Sequence, residues 1–157
     1  MKRTSLCYIF NNDRVLLLYR NKKENDPNEG KWIGVGGKLE EGETPQECAL
    51  REVYEETGIR LETIMQRGLI RFVSEMWDDE EMNLFSAELS DEPELKECNE
   101  GRLAWIDAGK VMDLPMWEGD RYFLKPLLEG KEDINMTLIY EGKGSEEHLK
   151  EVKYDEA

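Results

Sequence analysis

The sequence predicts an α/β or α+β sandwich, and three observations carry that prediction. Short apolar runs of strand length alternate with polar turns along most of the chain. One segment, Pro45–Thr57, has a helical period with a start signal before it and a stop signal after it. No repeat, Pro/Ser-rich linker or compositional break divides the 157 residues, so one domain over 1–157 is expected.

The elements follow in order. Leu6–Phe10 reads as a strand, Asn11–Asp13 as a turn and Val15–Tyr19 as a second, very apolar strand. A polar loop with Arg20, Lys22, Lys23 and Lys31 leads to a short strand, Trp32–Val35, which ends in Gly36-Gly37. The Pro45–Thr57 helix opens with Thr44-Pro45-Gln46-Glu47, a capping box with proline at the first helical position. Gly58 is the matching stop. Strand-like sequence fills Glu62–Met76, Trp77–Glu81 reads as an acidic loop or hairpin tip, and Met82–Leu89 returns as a strand. Ser90–Gly101 is polar and loop-like, Leu103–Ile106 is a short strand, and Asp107 can cap a short helix that Pro115 stops. Glu118–Leu128 reads as a helix complicated by Pro126, and Asn135–Tyr140 as a strand. Gly142–Ala157 reads either as a final strand or as a free acidic tail.

Composition excludes several classes. The net charge of −15 disfavours a nucleic-acid polymer as partner, because phosphate backbones are held mainly by Lys and Arg. An anionic substrate must meet a local basic cluster or metal ions instead. No apolar run reaches the ~20 residues of a membrane span, and no signal peptide is legible at Met1-Lys2-Arg3. Cys7, Cys48 and Cys98 are odd in number and widely spaced, which fits reduced thiols in a cytoplasmic protein. The single histidine, His148, lies far from any nucleophile motif. A monomer and a homodimer are equally compatible with these numbers.

The helix is where chemistry concentrates. At ~100° per residue, Glu52, Glu55 and Glu56 share one arc with Cys48, while Ala49, Leu50, Val53, Tyr54 and Thr57 share another. Like charges three and four apart cost a helix ~0.2–0.5 kcal/mol per pair. The bland explanation is a solvated acidic face. The sharper one is a divalent-cation site, since hard cations take clustered carboxylate oxygens and cancel the repulsion.

The surroundings favour the second. From Gly37 the chain reads Gly37, Glu43, Arg51-Glu52-Val53, Glu55-Glu56, Gly58-Ile59. This resembles the Nudix box, G-x5-E-x7-R-E-U-x-E-E-x-G-U with U bulky and apolar, at every specified position. In a chain of this composition a chance match is on the order of 10⁻⁸ per starting point. The resemblance implies a Nudix α/β/α sandwich, a mixed β-sheet flanked by helices, with the box as loop–helix–loop. It implies Mg²⁺ or Mn²⁺ held by Glu52, Glu55 and Glu56, with Gly36 and Gly37 letting the backbone pass close to a substrate phosphate or offering a carbonyl to the metal. It also implies catalytic roles for Glu52, Glu55, Glu56 and Arg51, with a structural salt bridge as the plainer alternative for Arg51. Glu43 and Arg51 are expected to pair and tie the loop to the helix. Glu100 stands where several relatives bring a further carboxylate to the metals, and Lys23 is a candidate for the terminal phosphate. The implied reaction is hydrolysis of a pyrophosphate link, with the general base left open among Glu55, Glu56 and an acid outside the helix.

The box gives a reaction class, and other segments bear on the substrate. Leu114–Asp120 resembles a segment of MutT-type enzymes that clear oxidised purine nucleoside triphosphates, in which a Trp stacks on the base and an Asp reads its edge. Trp117 and Asp120 match; core anchoring and helix capping are their plainer alternatives. Gly30–Gly37 follows that family's G-x-W-N-G-x-G-G in outline, but Ile33 replaces the base-reading Asn and Gly119 one of two Asp residues. Base recognition must therefore differ in mode. ADP-ribose-type relatives carry a proline about sixteen residues past the box, and this chain has none between Gly58 and Pro93. The expectation is hydrolysis of 8-oxo-dGTP-like triphosphates to monophosphate and pyrophosphate. The alternatives are ADP-ribose or dinucleotide polyphosphate hydrolysis, a non-catalytic nucleotide-binding module, and an acidic Ca²⁺-binding protein.

Overall fold

The computed structural model describes residues 1–22, 26 and 28–155. Strands β1 (Lys2–Asn11) and β2 (Arg14–Arg20) form a hairpin. Asn12 takes the left-handed turn position at φ 51°, which an Asn side chain tolerates. The arms pair only near the turn, through Ile9–Asn11, and then diverge. Residues 32–38 fill the gap: β3 (Trp32–Ile33) pairs with β2 and β4 (Val35–Lys38) with β1. The expected single strand Trp32–Val35 is thus two half-strands reaching Lys38, because it bridges two diverging partners.

The sheet continues from the other edge of β1. There β6 (Glu80–Glu88) runs parallel to it, followed by β5 (Met65–Val73), β8 (Met136–Glu141) and β9 (His148–Tyr154). On the far side β7 (Gly101–Asp107) covers the outer edge of β2. Of the two alternatives for the tail, the chain takes the strand: β9 closes the edge of the nine-stranded sheet.

Helices α1 (Pro45–Thr57) and α2 (Asp120–Leu128) lie on opposite faces. The strand alternation of β1 divides the core accordingly. Cys7 and Ile9 pack with Leu16, Val35 and α1's Ala49 and Val53. Leu6 and Tyr8 pack with Val15, Leu17 and α2's Phe123, Leu124 and Leu127. Because both faces are covered, β2 reads as a continuous apolar run.

The α1 start is a full capping box: Thr44 Oγ1 accepts from Glu47 N at 3.1 Å, and Glu47 Oε1 accepts from Thr44 N at 3.0 Å. Gly58 ends the helix at φ 82°. Leu50 and Tyr54 were expected on the core arc, but Leu50 is half-buried and Tyr54 is exposed beneath the Arg60 guanidinium, 4.1 Å from its ring centroid. Asp107 caps no helix; the turn after it, Ala108–Asp113, is 3-10, and Asp107 faces Arg14 and Lys110. α2 begins two residues later than expected, at Asp120. Cys7, Cys48 and Cys98 are free and buried, and burial pushes the Cys7 thiol up to about 12. Among the described residues no helix is long and apolar enough to cross a membrane.

Candidate active site

Arg51 organises the α1 face. Its Nε and Nη2 donate to the two oxygens of Glu43 at 2.7 and 2.9 Å, and Nη2 also reaches the Lys38 carbonyl at 3.2 Å. Its Nη1 donates to Glu52 at 2.8 Å and Glu55 at 3.1 Å. The predicted tie between loop and helix is therefore present, and it extends to Glu52 and Glu55 on the helix. The Arg51 guanidinium holds the Glu43 carboxyl down at about 2, well below the usual carboxylate range.

The three glutamates differ in depth. Glu55 is exposed, Glu52 is half-buried, and Glu56 is 6% exposed. Glu52 lies flat against the backbone of Gly37, where an added Cβ would sit 2.6 Å from its carboxyl. Gly36 answers to a different neighbour: a Cβ there would lie 1.9 Å from the Ser5 carbonyl, so its missing side chain lets β4 close on β1.

Glu56 is the unusual member. Neither of its oxygens meets a hydrogen-bond donor among the described residues. Burial, then the facing Glu100 carboxyl, pushes its proton affinity far above the usual carboxylate range. Glu52 is also raised, by burial first, with Glu55 and Glu100 adding to it and Arg51 opposing. A buried carboxyl with no donor, set against two others, needs a shared proton or a cation. That donor set is hard oxygen, which fits Mg²⁺ or Mn²⁺. As arranged here, no three acidic side chains converge as a metal cage among the described residues, since Arg51 draws Glu52 and Glu55 toward itself.

Glu100 arrives from the segment before β7, and a residue the sequence left in the polar loop positions it. Arg20, 8% exposed at the end of β2, donates from Nη1 to Glu100 at 3.2 Å and from Nε to Asp26 at 2.7 Å. Lys23, the expected phosphate contact, lies outside the described residues.

These groups line a cleft of about 420 Å³ that includes Gly36, Gly37, Arg51, Glu52 and Glu100. An adjoining pocket of about 330 Å³ is lined by Phe72, Trp77, Trp117, Asp120, Phe123 and Tyr140, among others. The two share Lys2, Leu6, Asn28, Ile33, Glu80 and Met82, so they form one trough.

Trp117 and Asp120 both face that trough. Trp117 is half-buried and held on three sides. Its Nε1 donates to Asn28 Oδ1 at 2.8 Å, Tyr140 meets it edge-on at 5.3 Å, and Lys31 Nζ lies 4.4 Å from its ring centroid. Asp120 is buried and is not the helix cap; Gly119 holds that position. Burial, reinforced by Glu80 and opposed by Lys31 and Arg121, pushes the Asp120 carboxyl up to about 8. At neutral pH it is mostly protonated, so it donates as well as accepts. Ile33 lines both cavities as an apolar wall. Sequence reasoning missed Arg20, Asp26, Asn28 and Tyr140. The one available signal was Arg20, a cation ending an apolar strand.

A NUDIX domain model matches residues 1–127. The chain belongs to the Nudix hydrolase family. This Nudix hydrolase is 31% identical to the Nudix hydrolase YvcI of Bacillus subtilis over 144 residues, 89% of this chain and 87% of that one. It is 33% identical to the oxidized purine nucleoside triphosphate hydrolase of Danio rerio over 134 residues, 83% of this chain and 81% of that one. The crystal structure of the MutT protein from Bacillus halodurans superposes with a TM-score of 0.82 at 30% identity, covering 99% of this chain and 98% of that one. The α/β/α sandwich implied by the box is the architecture of this Nudix hydrolase.

Proposed function

We propose that this Nudix hydrolase cleaves purine nucleoside triphosphates, oxidised purines such as 8-oxo-dGTP among them, to the monophosphate and pyrophosphate. One observation carries the reading: the carboxylate cleft opens directly into an aromatic pocket floored by Trp117 and Asp120. A nucleotide spans such a trough with its base on the indole and its phosphates at α1. The similarity to the Danio rerio enzyme supports the same substrate class.

Each residue has a role in this reading. Trp117 offers a flat face to the base, and its bond to Asn28 holds the ring in place. Asp120, protonated at neutral pH, donates to an acceptor on the base edge and accepts from a donor. Ile33 supplies shape without polar readout. Arg51 holds Glu52 and ties the glycine loop to α1. Gly37 lets the Glu52 carboxyl lie close to the backbone. Lys38, lining the cleft, meets phosphate oxygens.

Glu52, Glu56 and Glu100, with Glu55 at the rim and the Gly36 carbonyl in reach, would hold Mg²⁺ or Mn²⁺. Such a cation would supply positive charge to offset that of the diphosphate and would make a nearby water more acidic. The attacking water gives its proton to a carboxylate of this set, and its oxygen forms the new P–O bond as the bridging oxygen leaves with pyrophosphate.

A substrate panel with Mg²⁺ tests the proposal. 8-oxo-dGTP, the ordinary dNTPs, ADP-ribose and diadenosine polyphosphates are compared by kcat/KM and by products. Preference for 8-oxo-dGTP with pyrophosphate release supports it. Preference for ADP-ribose, or a flat profile, rejects the purine-sanitising assignment. No turnover of any of them returns the chain to a binding module.

A further inference from the structure

Glu80 stands where the pocket and the cleft join, and it lines both. It is the first residue of β6, opposite Lys2 of β1. Its side chain keeps 24% of its exposure. Thr4 Oγ1 donates to its Oε2 at 2.6 Å, which fixes the carboxylate plane. Its Oε1 has Lys2 Nζ at 3.5 Å, a loose contact that leaves lone pairs for a further donor. Of the other residues shared by both cavities, Leu6, Ile33 and Met82 are apolar, and the Asn28 carbonyl oxygen already accepts from Trp117.

We infer that Glu80 reads the sugar of the bound nucleotide by accepting a hydrogen bond from a pentose hydroxyl. This rests on the reading above, in which the base lies at Trp117 and the phosphates at the Glu52 cleft. A nucleotide so placed puts its pentose over the junction. A carboxylate there repels phosphate, which helps fix the direction in which the nucleotide lies, and it accepts from a neutral hydroxyl. A sugar that lacks the hydroxyl leaves the carboxylate facing C–H groups, which costs binding.

The test compares ribo-, 2′-deoxy- and 2′,3′-dideoxynucleoside triphosphates of one base on the wild type, Glu80→Gln and Glu80→Leu. Removal of one of the two hydroxyls is expected to lower wild-type kcat/KM by about tenfold or more. In Glu80→Leu that step shrinks to about twofold, and in Glu80→Gln it is smaller than in the wild type, because the acceptor loses its charge. Equal steps in all three enzymes overturn the inference, as does a wild type that treats the three sugars alike. So does a loss in the variants that tracks the base and not the sugar. If Glu80→Leu fails to fold by circular dichroism, Glu80→Gln alone decides, and an unchanged step rejects the assignment. A wild type that turns over no triphosphate marks failure of the functional reading itself, and the sugar assignment falls with it.

Discussion

Arg51 grips Glu43 with two hydrogen bonds while its remaining nitrogen holds Glu52 and Glu55. One guanidinium thus sets the spacing of three carboxylates that would otherwise repel. Lys cannot make that fork, so Arg51→Lys is not a conservative change. It is expected to lower stability by about 1–2 kcal/mol in urea titration and kcat by about tenfold or more, because Glu52 loses its anchor. Glu43→Gln tests the same pair through pH. Glu43 is depressed in the fold to about 2 from an ordinary 4.5. Its contribution is therefore present above about pH 4.5 and lost as pH falls toward 2. The Gln variant is expected to be less stable at pH 7 and to lose less than the wild type between pH 4.5 and 2.

Glu56 separates function from stability. A buried carboxyl that faces the Glu100 and Glu52 carboxyls weakens the fold, and its amide does not carry the charge cost. Glu56→Gln is expected to leave Tm in metal-free buffer unchanged or raised, while kcat with Mg²⁺ falls by about a hundredfold or more. Mg²⁺ is expected to raise the Tm of the wild type by ligand linkage and not that of the variant. A variant that keeps its turnover and its Mg²⁺-dependent Tm shift would falsify the metal role.

Asp120 makes an opposite pH prediction. Its folded proton affinity lies at about 8 against an ordinary 3.8, with burial as the main cause. The folded state therefore binds more protons than the unfolded one across that window. Stability falls as pH rises from about 4 to about 8 and is level beyond. Asp120→Asn resembles the protonated form. It is expected to match the wild type near pH 4 and exceed it near pH 9, as read from urea midpoints. In the same variant the choice between purine bases is expected to stop varying with pH, since the amide no longer switches between donor and acceptor.

Legibility in the sequence followed the range of the interactions. The α1 helix was legible to the residue, because Thr44, Pro45, Glu47 and Gly58 act on backbone groups within one turn. The carboxylate face was legible from periodicity, but its gradation in depth was not. Glu56 is buried facing Glu100 and near Cys98, on the segment before β7, while Glu55 stays exposed, and helical period alone does not reveal which carboxylate that distant segment meets. The Arg20–Glu100 contact joins residues 80 apart, through the pairing of β2 with β7, and no local pattern encodes it. Tyr140 was missed for the same reason. Its hydroxyl accepts from Gly119 N at 2.7 Å across the sheet–α2 interface, while its strand reads as ordinary core. The split of 32–38 into two half-strands likewise depends on the divergence of β1 and β2, which belongs to the whole sheet.

Adjacent glycines in the box loop give the sharpest contrast between architecture and chemistry. A methyl at Gly36 would meet the Ser5 carbonyl at 1.9 Å and the Leu6 Cα at 2.9 Å, both main chain. Relief requires β4 to move off β1, so Gly36→Ala is expected to cost several kcal/mol and to yield little folded protein. A methyl at Gly37 would meet only the end of the Glu52 side chain, at 2.6 Å. That carboxyl can swing aside, so Gly37→Ala is expected to fold with a Tm close to the wild type. Its displaced Glu52 no longer meets the geometry the reaction needs, and a shift of about 1 Å is enough to cost about a hundredfold in rate. Circular dichroism melts and kcat measured side by side give the answer. A folded Gly37→Ala enzyme with full activity shows that the position of Glu52 against the loop does not matter to turnover, and a stable Gly36→Ala protein shows that β4 and β1 can separate without loss.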